Sequence, residues 1–285
     1  MKLFKPGFAA IEIKIKKVIF FGLIVISIAS GCFTAEKKNE RDYTTADKKD
    51  TAYLLKLIEK ANTDCTRALD ANFDIEGHSG KQKFKASGNI QFNDNPRKVK
   101  IVFHDAVFKT PITEIIQDGY EIKFYFPFDK ILYNDNIKTI NLKNYTNFDI
   151  DFDLVSDLST GKIPLIKNYS IVKGLEHEDA SGNENNKLII INNKEYYETI
   201  SFMREIPDKI LWMNKTTKEK IEVYLYDPLK RDKLLFYKTI KIVSLSSDLK
   251  ITIRFNSIKF NLPANPENIV KIKLAKDTKV ININN

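Results

Sequence analysis

A mainly β, antiparallel fold is predicted by three observations. Apolar and polar residues alternate with period two in run after run: Phe84, Ala86, Gly88, Ile90 and Phe92 are followed by Val99, Ile101 and Phe103, and then by Tyr120, Ile122, Phe124, Phe126 and Phe128. Turn residues such as Asn93-Asp-Asn-Pro96 separate the runs. No long helical pattern is interleaved with them, which argues against βαβ units. Similar runs at 137–142, 188–192, 196–203, 220–226, 234–243, 249–255 and 257–262 bring the expected number of strands to about ten or eleven.

The chain opens on a different pattern. Lys14, Lys16 and Lys17 precede an apolar stretch, Val18 to Ala29, that ends in Ser30-Gly31-Cys32. A basic region, an apolar region and small residues before a cut mark an export signal. A cysteine directly after the small residues resembles the lipobox of bacterial lipoproteins, with Ala29 where leucine is usual. The resemblance implies that residues 1–31 are a lipoprotein signal peptide and that Cys32 carries lipid. Two rival readings are a plain secretory cut and a retained anchor. The second is short of length, since 12 apolar residues fall below the roughly 20 that a spanning helix needs.

Residues 32–50 are polar, charged and without apolar period, and read as a flexible tether. Residues 51–69 read as an amphipathic helix through Leu54, Ile58, Ala61, Cys65 and Leu69, capped by Asp50 or Thr51. Residues 152–175 break the strand pattern and suit short helical segments around the turn Gly161-Lys-Ile-Pro164, and residues 176–187 read as a surface turn. No repeat or composition shift marks a second domain, so 51–285 is expected to be one domain.

Composition narrows the function classes. The net charge is +9, but residues 1–31 hold five lysines and one glutamate, and the remaining 254 residues carry only +5. That charge is compatible with anionic headgroups; no basic–aromatic run or recognition helix suggests a nucleic-acid partner. The only other cysteine, Cys65, has no disulfide partner if Cys32 is acylated. His78, His104 and His177 have no partner at ligand spacing. Catalytic, phosphate-binding and metal motifs are absent, so neither enzymatic activity nor a cofactor or metal is expected. What stands out is 19 Phe and 12 Tyr, enough to pack a core or line a greasy pocket.

The order of elements resembles the lipoprotein-localisation fold of LolA and LolB. The resemblance runs over about residues 51–275: the first helix, Gly88-Asn-Ile-Gln-Phe92, the turn Thr110-Pro111-Ile112-Thr113, the strand from Asp118-Gly119-Tyr120, the segment Leu154 to Pro164, and the late strands Lys250 to Pro263. It implies an incomplete antiparallel β-barrel with the N-terminal helix and short central helices as a lid. It also implies an apolar cavity for acyl chains of lipoproteins or lipids, a periplasmic carrier as partner, and a lipid-anchored place in the cell envelope, at the periplasmic face of the outer membrane rather than the cell surface. The cavity is expected beneath helix 51–69, lined by Phe92, Phe103, Phe124, Phe126 and Phe255. A one-residue change of register would turn Tyr125 inward instead of Phe124. Pro111 and Ile112 stand where the family exposes an apolar loop, so Ile112 is expected to touch membrane or cargo, or else to pack inward. The rival to acyl binding and lipid transport is a surface lipoprotein that binds a protein or host partner, its apolar interior serving only as a core.

Overall fold

The computed structural model describes residues 44–64, 68–105, 107–137, 152–178, 185–231, 234–260 and 266–283. The leader, Cys32, most of the tether, Cys65, the 138–142 part of the expected strand and the centre of the 176–187 turn lie outside the described residues. The protein is mainly β. Among the described residues fifteen strands hydrogen-bond in one open sheet, in the order β1 (Thr44–Thr45), β8 (Ser170–Glu178), β9 (Asn185–Asn192), β10 (Tyr196–Met203), β11 (Ile206–Asn214), β12 (Lys220–Arg231), β13 (Leu234–Ser244), β14 (Leu249–Phe260), β2 (Ala68–Ser79), β3 (Gln82–Asp94), β4 (Arg97–Asp105), β5 (Pro111–Asp118), β6 (Glu121–Phe126), β7 (Ile131–Asn136) and β15 (Lys279–Asn282). β7 and β15 pair in parallel; the other pairs of defined register are antiparallel.

Contacts divide the chain into two compact units. The described part of unit 1 lies within Thr66–Phe152 and Ile253–Asn285, and that of unit 2 within Ser27–Cys65 and Asp153–Thr252.

In unit 1 a meander runs through β2 (Ala68–Ser79), β3 (Gln82–Asp94), β4 (Arg97–Asp105), β5 (Pro111–Asp118), β6 (Glu121–Phe126) and β7 (Ile131–Asn136), with β15 (Lys279–Asn282) beside β7. The second half of β14 (Leu249–Phe260) lies on the β2 side. β2 was not expected; Leu69 was expected at a helix end. Its Leu69, Ala71, Phe73 and Ile75 are buried. The intervening Asp70, Asn72 and Asp74 turn the other way, so residues that read as a turn are the outer positions of a strand. Gly88 faces Phe73 across the β2–β3 pair. A Cβ there would sit 2.3 Å from the Phe73 ring, so only glycine fits. A short helix, α3 (Pro266–Ile269), covers part of the opposite face, where the buried Lys98 reaches Glu267 at 2.8 Å and Asp118 at 3.3 Å.

Unit 2 holds β1 (Thr44–Thr45), helix α1 (Lys48–Asp64), helix α2 (Phe152–Ser159), β8 (Ser170–Glu178), β9 (Asn185–Asn192), β10 (Tyr196–Met203), β11 (Ile206–Asn214), β12 (Lys220–Arg231), β13 (Leu234–Ser244) and the start of β14. The folded body begins by Thr44, inside the stretch expected to be tether. Thr44 pairs with Glu176, and the Ala46 amide donates to the Gly174 carbonyl at 3.1 Å. α1 buries Thr51, Leu54, Leu55 and Ile58, the spacing of one helical face. Its cap is Asp47, whose carboxylate accepts the Lys49 amide at 2.9 Å; the expected cap Asp50 pairs instead with Lys187 at 2.7 Å. Thr51 presses on β8 at Gly174, where a Cβ would meet the Thr51 hydroxyl at 2.0 Å. The strand count exceeds expectation because β2, β5, β7, β8 and β11 were not read as strands and two edge strands are only two and four residues long, while the runs 249–255 and 257–262 form the single strand β14.

Candidate functional site

Unit 2 has an irregular strap between α2 and β8, residues 160–169, that lies on the inner face of its sheet. Gly161, its second residue, has φ 86° and lies so close to Phe236 that a Cβ would come within 2.3 Å of the ring. The strap buries Ile163 and Ile166 and is held by polar contacts. The Asn62 side chain of α1 donates to the Ile163 carbonyl at 2.7 Å and accepts its amide at 2.8 Å. The Tyr169 hydroxyl donates to Glu59 at 2.9 Å. Burial first, then that carboxylate, pushes the phenol up to about 12.

The third tie is Glu198 on β10, fully buried. One oxygen accepts the Ile166 amide at 2.9 Å and the other the Trp212 indole N–H at 2.8 Å. Desolvation outweighs both hydrogen bonds and pushes this carboxyl up to about 7. No local pattern marks it: Glu198 is a lone acid in an alternating strand, and its partners come from residues 166 and 212.

Between α1, the strap and the β10–β11 hairpin lies a cavity of about 280 Å³. Leu57, Ile58 and Ala61 of α1, Ile163 of the strap, Phe202, Pro207 and Leu235 give its apolar wall, and Lys60, Arg204, Glu205 and Lys230 its polar lining. The sequence placed a cavity beneath the first helix but named other residues for it. Periodicity alone already put Phe202 on an alternating strand; what it lacked was which strands the helix covers.

The five phenylalanines named from the sequence lie in unit 1. In register, Phe92 meets Val99, Phe103 meets Gly88, and Phe124 meets Tyr133. Phe73 contacts both Phe103 and Phe255 edge-on, at centroid separations of 5.7 and 6.1 Å. Phe92, Phe124, Phe126 and Phe255 are buried and Phe103 is half-buried. Tyr125, on the other face of β6, is buried too and accepts the Ala275 amide at 3.0 Å, so this strand packs on both sides.

Pro111 and Ile112 are the first two residues of β5, Pro111 exposed and Ile112 half-buried. The exposed apolar side chains of that hairpin come earlier: Val107 is 69 % and Phe108 78 % exposed. Asp105 braces this tip by accepting the Val107 and Phe108 amides at 2.9 and 2.8 Å. These bonds hold its carboxyl below the usual carboxylate range. Among the described residues no three His, Cys, Asp or Glu cluster as a metal site would need, and no helix is long and apolar enough to cross a membrane.

This geometry has counterparts among solved structures. A domain from Vibrio parahaemolyticus assigned to outer membrane lipoprotein sorting superimposes with TM-score 0.59 at 10 % identity, over 77 % of this chain and 97 % of its own. A LolA superfamily protein from Nitrosomonas europaea gives 0.53 at 9 % identity, over 77 % and 97 %. The chain has the LolA-like fold. A DUF1329 family protein from Desulfovibrio piger shares it at TM-score 0.58 and 11 % identity, over 78 % of this chain and 96 % of its own. At these identities the likeness is one of fold. No protein-family model and no curated protein matches the sequence.

Proposed function

We propose that the protein is a lipid-anchored envelope protein that binds an acyl chain in the unit 2 cavity and takes part in lipid or lipoprotein transport at the outer membrane. The observation that carries this is the apolar-walled cavity under α1, on a fold that a lipoprotein-sorting domain shares. Hydrocarbon taken from water gains about 25 cal/mol per Å². A cavity near the lower end of the ~300–1,000 Å³ usual for ligand pockets gives modest binding, which suits a carrier that must release its cargo. Cys32 is the proposed anchor, a periplasmic carrier the proposed partner, and no catalytic step or cofactor belongs to this reading. The exposed Val107–Phe108 tip is the proposed membrane contact, in place of Ile112.

An environment-sensitive fatty-acid probe tests the binding. It should bind the full chain saturably, and Ala61→Trp, which fills the cavity, should abolish the signal while the urea midpoint holds. Unchanged binding in Ala61→Trp places the chain elsewhere; absence of binding in the parent removes the reading. The rival, a surface lipoprotein with a purely structural interior, draws on the closely packed phenylalanines of unit 1.

A further inference from the structure

The polar lining of the unit 2 cavity has one dominant sign. Lys60, Arg204 and Lys230 are exposed cations of its lining, against the single acid Glu205. None of the three cations forms an ion pair with a described residue. They come from three separate elements, α1, the β10–β11 turn and β12, so no single surface stripe explains their convergence.

The turn supplies a second observation. Arg204 and Glu205 alone connect β10 to β11, and both have positive φ, 49° and 68°. A two-residue hairpin of this form favours Asn-Gly, because other side chains crowd the backbone there. Here an arginine occupies the strained position and lines the cavity. Positive φ recurs elsewhere, as at Lys218 and Asp227; what sets this turn apart is that Arg204 and Glu205 line the cavity.

We propose that this cavity takes a single-chain anionic amphiphile: its hydrocarbon lies along the apolar wall and its carboxylate or phosphate head sits on Lys60, Arg204 and Lys230. This rests on the acyl-binding reading above and names its substrate class. The volume argues for one chain. About 280 Å³ is roughly twice the ~150 Å³ cavity that accepts a benzene ring, too little for several chains side by side. The charge argues for the head. Arginine presents a planar fork that matches carboxylate and phosphate oxygens. Three cations from separate elements add their attraction for one anionic head, and because all three are exposed that attraction is screened by salt. A neutral acyl glyceride leaves the three cations without an anion.

The test compares probes of one chain length on the full chain carrying Cys32→Ala, so that no attached lipid competes. Dodecanoate and dodecyl phosphate should bind at least tenfold more tightly than 1-monododecanoylglycerol, and only their binding should weaken as salt rises. The triple variant Lys60→Gln, Arg204→Gln, Lys230→Gln should lose that preference and keep the neutral probe's affinity; the three side chains are exposed, and an unchanged urea midpoint verifies the fold. Inorganic phosphate should not compete at millimolar concentration. Phosphate binding as tight as that of dodecyl phosphate overturns the proposal in favour of a free-phosphate site. Equal binding of charged and neutral probes, or a preference that survives in the triple variant, overturns the proposal and leaves acyl binding standing. Failure of every chain-bearing probe removes acyl binding and this proposal together.

Discussion

Replacing Glu198 with Gln should abolish one component of the protein's pH dependence. The carboxyl is fully buried, and burial raises it from 4.5 to about 7. The folded state therefore holds this proton more tightly than the unfolded chain does. The stability it contributes is fully present below pH 4.5 and is lost as pH rises through about 7. At about 1.4 kcal/mol per tenfold change in proton affinity, the loss between pH 5 and pH 8 is about 2.5 kcal/mol. Gln cannot titrate. Its one carbonyl oxygen serves either the Trp212 indole or the Ile166 amide, and its NH₂ faces the other donor, a mismatch of about 1–3 kcal/mol. The variant should thus be less stable than the parent at pH 5 and close to it at pH 8. Urea unfolding of both proteins at both pH values isolates the effect, because the histidines and surface groups cancel in the difference between parent and variant. A parent-minus-variant difference that moves by less than about 1 kcal/mol between pH 5 and pH 8 would refute the reasoning and mean that water or a relaxed backbone reaches the carboxylate.

Four further outcomes are expected. Gly88→Ala should destabilise by about 1–3 kcal/mol through overpacking against Phe73, and Phe73→Leu in the same chain should recover part of that loss in thermal unfolding. Asn62→Ala strips the strap's Ile163 amide and carbonyl of their shared partner, so it should lower urea stability by about 1–3 kcal/mol and raise hydrogen exchange at Ile163. The double change Val107→Ser, Phe108→Ser should leave stability within about 0.5 kcal/mol and weaken association with liposomes; intact association ends the membrane role of that tip. Metabolic labelling with a clickable fatty acid should mark the parent chain and not Cys32→Ala, and equal labelling of the two would remove the lipid anchor from the account.

The legible parts of the fold are those where side chains repeat with the period of the backbone. β3, β4 and β6 follow their alternation, and α1 follows the Leu54–Ile58 stripe. The shared face of Phe92, Phe103, Phe124 and Phe126 was also readable, since each register pair preserves it. β2 was hidden because Asp70, Asn72 and Asp74 favour turns by local hydrogen bonding, while pairing with β3 decides their state here. The cavity was hidden for a different reason. Its wall joins residues from positions 57 to 235, and no local pattern says that Lys60, Arg204 and Lys230 meet. Glu198 is the same case: its burial depends on an indole and an amide contributed from elsewhere in the chain.

The neighbour that completes unit 1 arrives late. Arg254 of β14 bonds Glu76 of β2 at 2.6 Å across 178 residues of sequence, and Asn256 meets Asp74 across 182. On the proposed export route the chain crosses the membrane unfolded and N-terminus first, so β2 to β7 can form their meander while β2 still presents a bare hydrogen-bonding rim. That rim stays open until β14 has followed. An open edge of this kind recruits other strands, so the yield of correctly folded protein should depend on what shields β2 during that interval: slowed passage of the 153–252 segment should favour aggregates, and an envelope chaperone with affinity for extended chain should suppress them.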